Sequence, residues 1–419
     1  MSVRLENWRN EEESLKNLLK KYPKIPKFVA LKIDLKRRGY SLTAAARGRL
    51  NKEIHQIKER SIFLNRSDWF NPSGLILRDG TSIVSGYSEE TNTGIRDPYL
   101  IDVVDGKLVI TDQNEVLEEV EYWEKPDYYD KVTSKGTPMW HILSCRPQRL
   151  DISVNSHCHF WNKAGGGCKY CCVGATGKEY QDHHISPLID IEDLVESVKE
   201  AIKQKGRFTT ICATGGSILS GKELLDDEVG LYIEVFKALG DLFQAENLRG
   251  QIIGTAYSKK QLERLKKETG IIAYTTDLEV MSKELFEWIC PGKTEYIGFD
   301  AWKQSLYDAV EVFGRNNVSC GFVGGVDMAK PRGFLTEEES LNAAFELGEE
   351  LAEKGVIPVE MIWEVGENTI FKNQAPPSLE YYIKLAQGMN AIRNKHGLEA
   401  YFDDYRRCGN HPGTDLARI

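Results

Sequence analysis

The chain has 419 residues, with 41% hydrophobic and 28% charged side chains and a formal net charge of −9, the balance of a globular protein that can bury a core. No apolar run approaches the ~20 residues a membrane-spanning helix needs, and the acidic surplus argues against a broad nucleic-acid footprint. Nine cysteines, an odd number, do not read as a disulfide framework, and Met1-Ser2-Val3-Arg4-Leu5-Glu6 carries no targeting pattern, so a cytoplasmic setting is expected.

In chain order, residues 1–60 are charged and helical in pattern. Leu15, Leu18 and Leu19 make one apolar stripe, and Ala44 to Ile57 a second amphipathic stretch. Residues 61–125 change character: turn signals at Asn71-Pro72-Ser73-Gly74, Asp79-Gly80 and Asp105-Gly106 separate short runs such as Leu75-Ile76-Leu77 and Lys107-Leu108-Val109-Ile110-Thr111. Asp-Gly between β-rich runs signals a hairpin. Lys125-Pro126-Asp127-Tyr128-Tyr129 reads as a connector, and residues 1–145 as an N-terminal α+β accessory region.

From residue 150 strands and helices alternate, the pattern of a parallel sheet with crossover helices. Leu150-Asp151-Ile152-Ser153-Val154 is the first strand; Ile191, Leu194, Val195, Val198, Ala201 and Ile202 share a helical face behind the N-cap candidate Asp190. Further strands are expected at 208–212, 250–255, 271–274, 318–323 and 356–362, with a capping box from Thr336 to Glu339 opening the last crossover helix. Residues 146–395 thus hold six β/α units, which suits a partial (β/α)6 TIM-like barrel, and 396–419 form a tail placed to close an active site. In such α/β folds ligands gather at the C-terminal ends of the strands.

At that end of the first strand lies the chemistry-bearing loop. Nine residues separate Cys158 from Cys168, and Cys168-Lys169-Tyr170-Cys171 follows. Three thiolates can hold three irons of a [4Fe–4S] cluster and leave the fourth open to a small molecule. The alternative is a structural zinc on Cys158, His159, Cys168 and Cys171. Five β/α units after the loop favour the cluster, because small zinc modules do not precede them. After the second strand, Ala213-Thr214-Gly215-Gly216-Ser217 lets a ligand approach the backbone and offers a hydroxyl. On the fourth strand, Asp277-Leu278-Glu279 is expected to set two carboxylates on one face.

The Cys-x-aromatic-Cys ending resembles the radical S-adenosylmethionine (SAM) superfamily, whose usual first spacing is three residues. The resemblance implies a [4Fe–4S] cluster on Cys158, Cys168 and Cys171 that chelates SAM, with Tyr170 beside the adenine. It also implies that Gly215, Gly216 and Ser217 meet the SAM amino group and that Asp277 and Glu279 grip its ribose; Ser217 stands where the superfamily usually has an acid. Within the superfamily, residues 150–395 look most like biotin synthase and its relatives, where barrel cysteines hold an auxiliary cluster. Cys212 and Cys320 match two such ligands, whereas no cysteine lies near Gly250 or Gln251 for the third and Asp300 replaces an arginine. Cys145, Cys172, Cys290 and Cys408 are further candidates, with Cys290 read as structural. The implied activity is sulfur insertion into a protein-bound octanoyl chain, as in an archaeal-type two-component lipoyl synthase. Its implied partners are a ferredoxin- or flavodoxin-type reductant, a lipoyl-carrier protein and a second radical SAM subunit. The alternatives are a radical SAM lyase, mutase or methylase of another cofactor pathway, an Elongator-type tRNA-modifying enzyme, which shares the nine-residue spacing, or a non-enzymatic iron–sulfur or zinc protein.

Overall fold

The structure, a computed structural model, describes residues 14–57, 71–84, 98–245, 249–366, 368–399 and 409–418. The N-terminal part opens with helices Leu15–Lys21 and Lys27–Arg38, strand β1 (Tyr40–Leu42) and a short helix Ala44–Arg49. That last helix covers only the start of the expected stretch to Ile57. Strands β2 (Leu75–Leu77), β3 (Ser82–Ile83), β4 (Tyr99–Val104), β5 (Lys107–Asp112) and β6 (Glu115–Tyr122) join β1 in a sheet ordered β1-β4-β5-β6-β2-β3. Asp105 and Gly106 connect β4 to β5 with φ of 50° and 77°, the double left-handed geometry of a tight hairpin. Gln113-Asn114 makes the next hairpin with φ of 47° and 68°, a turn without a glycine to announce it.

The second sheet contains β7 (Leu143–Cys145), β8 (Arg149–Asn155), β9 (Thr210–Gly215), β10 (Arg249–Ile253), β11 (Ala273–Thr275), β12 (Val318–Gly324) and β13 (Ile357–Ile362), side by side in sequence order. β7 runs antiparallel to β8; the other five pairings are parallel. The architecture is α/β. Sequential parallel strands joined by right-handed crossovers put their helices on one face. There Leu150, Ile152, Ile211, Ala213, Ile252 and Tyr274 join the buried apolar cluster with Leu194, Val198 and Tyr232 from the crossover helices. Asp190 caps helix Ile191–Ala201 through Asp193 N–H, and Thr336 and Glu339 form the capping box of helix Glu337–Glu353.

The opposite face is polar. Gln251 Nε2 donates to Thr275 Oγ1 at 2.7 Å, and Thr275 and Ser319 share a hydroxyl bond of 2.6 Å. The free edges of the sheet are bridged by the tail: Arg146, next to β7, donates to Asn410 at 3.3 Å, while Gly413 packs on Glu360 of β13. Helix Lys27–Arg38 braces that bridge through a buried ion pair of Lys32 with Asp415 and a half-buried one of Lys36 with Glu364. Among the described residues no helix is long and apolar enough to cross a membrane.

Candidate active site

The loop after β8 is built on its neighbours. Asn155 O accepts from Gly216 N–H at 2.8 Å, Asn155 Nδ2 donates to Gly216 O at 3.0 Å, and Asn155 Oδ1 takes the His157 N–H at 3.1 Å. Cys158 then opens a short 3-10 turn, His159–Asn162, whose Phe160 is buried. The thiol-bearing stretch is pinned from behind: Lys169 N–H donates to Ile289 O and Gly292 N–H to Gly166 O, at 2.9 and 2.8 Å. Helix Val173–Asp182 follows, and Val173 N–H points at Cys171 Sγ, 3.4 Å away.

Cys158, Cys168 and Cys171 line one cavity of about 350 Å³ at the C-terminal ends of β8–β11. Tyr170, Gly215, Gly216, Ser217, Asp277 and Glu279 line the same cavity, so the residues singled out in the sequence for one cluster and one ligand meet there. A larger groove of about 960 Å³ crosses the first sheet, but Arg78 and Lys107 in its wall are engaged with the buried Glu118 and with Glu119. The smaller cavity gathers thiols, carboxylates and an ammonium, which makes it the candidate for chemistry.

Gly216 has to be glycine: a Cβ there would lie 2.3 Å from the His157 carbonyl oxygen and 2.7 Å from Cys158 Cα. Ser217 O accepts from His159 N–H at 2.8 Å, and Ser217 Oγ shares a bond of 2.6 Å with Thr255 Oγ1. Behind them the buried Glu228 accepts from Ile218 N–H, Thr255 N–H and Tyr257 OH at 2.8, 3.0 and 2.5 Å, tying the ends of β9 and β10.

Asp277 and Glu279 lie beyond the fourth parallel strand, which ends at Thr275. Their backbone leaves the extended form, with Glu279 at φ 68°, so both carboxylates reach the cavity from a loop and not by strand alternation. Burial pushes the Asp277 carboxyl up to about 6, helped by Glu279 and opposed by Lys293 and by the Gly321 N–H that it accepts at 2.7 Å. Lys293 is buried; its Nζ donates to Glu279 Oε1 and Asp277 O, both at 2.8 Å, and lies 4.3 Å from the Trp302 ring centre. Burial opposes its charge, but Glu279 and the thiols of Cys168 and Cys290 hold it protonated.

Burial raises the thiol pKa of Cys158, and that of Cys171 to about 12; Cys168 is raised by a hydrogen bond with Cys290 and by burial. Thiols clustered in a buried wall ionise only against a cation, which is what iron supplies. Among the described residues no three His, Cys, Asp or Glu side chains converge as ligands of a single metal ion. A cluster does not ask for that convergence, because each thiolate takes a different iron. His159 is turned away from the thiols: its Nδ1 accepts the Leu219 N–H at 3.2 Å, and it faces a second cavity beside Asp227. The Cys₃His zinc set is therefore not assembled, whereas Cys158, Cys168 and Cys171 share one cavity wall, the all-thiolate donor type that a cluster would take.

Two expected ligands do not come together. Register carries Cys212 across Gln251 to Ala273, and Thr275, on that same face, pairs with Ser319. Cys320 follows Ser319 and so falls on the other face, where Leu278 N–H donates to its sulfur at 3.4 Å. The two cysteines expected to share an auxiliary cluster thus lie on opposite faces of the sheet. Cys408 lies outside the described residues. Cys145 is buried on β7 against Gln56, and the exposed Cys172 packs toward Gly366. Cys290, read as structural, is fully buried but touches the cluster-loop thiol Cys168. Tail residues 409–418 sit at the bridged sheet edges and not in the cavity wall. Lys293, Asn155, Thr255 and Glu228 escaped the sequence reading; Pro291-Gly292 ahead of Lys293 was the nearest signal, a helix start packed on the loop.

Comparison with known proteins adds three findings. No family model matches the chain. A bacteriochlorophyllide c C-7(1)-hydroxylase from Chlorobaculum limnaeum is 22% identical over 270 residues, which are 61% of this chain and 62% of that protein. The chain therefore aligns with less than two thirds of that relative's length. Among solved structures, methylornithine synthase superposes with a TM-score of 0.39 at 15% identity, over 62% of this chain and 72% of that one. A radical SAM methyltransferase from Sphaerobacter thermophilus gives 0.39 at 15% identity, over 76% and 82%.

Proposed function

We propose that this chain is a radical SAM enzyme, its six β/α units forming a partial barrel, and that it functionalises an unactivated C–H bond. The observation that carries the reading is the single cavity in which Cys158, Cys168 and Cys171 face Gly215-Gly216-Ser217 and the Asp277/Glu279 pair. When bound, the cluster and SAM supply one-electron cleavage of SAM and a carbon radical able to take a hydrogen atom, chemistry no side-chain acid or base provides. The chain's residues do the rest. The three cysteines hold the irons. Gly215 and Gly216 allow the backbone close to the ligand, and Tyr170 flanks it. Asp277 and Glu279 accept from ribose hydroxyls, with Lys293 fixing Glu279. Phe160 and Trp302 narrow the cavity and limit water, which keeps a reactive intermediate from side reactions.

For the reaction type, hydroxylation or methylation is favoured over sulfur insertion. The similarity to a hydroxylase supports it, as does the placing of Cys212 and Cys320 on opposite faces, which speaks against this pair sharing one auxiliary cluster. A one-electron donor protein of ferredoxin or flavodoxin type is the partner this reading requires. The test is anaerobic reconstitution: wild type should bind about four irons and release 5′-deoxyadenosine from SAM under reduction. Alanine at Cys158, Cys168 or Cys171 should abolish release, while Cys172→Ala should not. Retained release in Cys171→Ala, or zinc in place of iron, would defeat the proposal.

A further inference from the structure

The long loop between Cys158 and Cys168 carries a tryptophan whose surroundings are unusually demanding. Trp161 N–H donates to Cys158 O at 2.9 Å, and the side chain lines the cavity beside Cys158 and Cys171. Its benzo ring is clasped from two elements. A Cβ at Gly167 would lie 2.2 Å from Trp161 Cε2, and one at Gly174 would lie 2.5 Å from Cε3. Gly174 stands in the first turn of helix Val173–Asp182, a place where glycine is a poorer helix former than alanine. Three residues on, Gly177 meets a second loop ring: a Cβ there would lie 2.3 Å from His157 Nδ1. Two glycines three residues apart on one helical face thus leave room for two rings, those of Trp161 and His157.

We propose that Trp161 closes the cavity wall between Cys158 and Cys171 and keeps water and dioxygen from those thiols and from the irons they hold. The inference builds on the cluster reading above, but its first consequence is visible in the metal-free protein. The loop's extra length then has a use: it delivers its own cover, seated on Gly167 and Gly174.

The experiment compares wild type, Trp161→Phe and Trp161→Ala. In metal-free protein, maleimide labelling is mapped by mass spectrometry, with exposed Cys172 as the internal reference and buried Cys212 and Cys320 as fold controls. Trp161→Ala should label Cys158 and Cys171 about fivefold faster relative to Cys172, while Trp161→Phe stays near wild type. In reconstituted protein, iron content should be unchanged and loss of the cluster absorbance in air should accelerate in Trp161→Ala alone. An unchanged labelling ratio in Trp161→Ala overturns the proposal. Faster labelling that extends to Cys212 and Cys320 also overturns it, since the indole would then be holding up the fold. Selective labelling in a protein that takes up no iron would leave the wall role standing and defeat the cluster reading instead.

Discussion

Asp277 is the residue where competing forces can be read most directly. Burial and Glu279 disfavour its charge, and Lys293 and the Gly321 N–H favour it; burial wins, moving the carboxyl from 3.8 to about 6. A carboxyl whose folded value is raised contributes stability below its unfolded value and loses it as pH climbs through the folded one. Stability should therefore fall between about pH 4 and 6 on account of this group. Asp277→Asn should gain about 1–3 kcal/mol over wild type at pH 7, cavity water screening part of the effect, and gain nothing below about pH 4. Urea denaturation of metal-free protein at the two pH values checks this, and an equal difference at both would contradict it. Residues of this kind were legible where their signal is local: Gly215-Gly216 and the Asp277/Glu279 pair announce themselves by composition. Lys293 and Glu228 were not, because what makes them part of the site is a partner far off in sequence, chosen by the fold.

At the scale of elements, the six parallel strands were legible because buried β-branched runs between turn signals have few other uses. Which way a side chain faces was not. Parity along a strand flips with a one-residue change in where pairing begins, and 107 residues separate Cys212 from Cys320. Both cysteines fall on strands, as expected, but on opposite faces. The double variant Cys212→Ala/Cys320→Ala is accordingly expected to keep the wild-type iron content and SAM cleavage. A loss of about four irons would restore the auxiliary cluster. Asp277-Leu278-Glu279 teaches the same lesson: the segment reads as strand, yet β11 stops at Thr275 and a left-handed residue aims both acids at the cavity.

The whole molecule is held at its open side by charges. Helix Lys27–Arg38 places Lys32 against Asp415 and Lys36 against the half-exposed Glu364, while Arg393 pairs with Glu360 at 2.8 Å; the first and last of these pairs are buried on both sides. Breaking such a pair strands a charge in a poor solvent, whereas replacing both partners by apolar groups costs little. Lys32→Met should therefore cost roughly 3–5 kcal/mol, and Lys32→Met/Asp415→Leu should recover most of it. Chemical denaturation of both variants measures this; a double variant as unstable as the single one would show that the ion pair is not the source. None of this was visible in the sequence, where Lys32 is one charge among many in a helix that looks made for the surface.

The contact of Gly216 with His157 and Cys158 has a thermodynamic corollary. The backbone that would hold the SAM amino group and the backbone that carries Cys158, the proposed first iron ligand, are hydrogen-bonded to each other through Asn155, Gly216, His159 and Ser217. Two ligands seated on one shared strip of chain are expected to be coupled, and linkage is reciprocal: whatever factor the metal adds to SAM affinity, SAM must add to metal affinity. On the proposed reading, SAM should slow the transfer of iron from the reconstituted protein to a strong chelator. Methionine alone, lacking the ribose that Asp277 and Glu279 would grip, should slow it less. Identical chelation rates with and without SAM would mean that the two ligands bind without regard to each other.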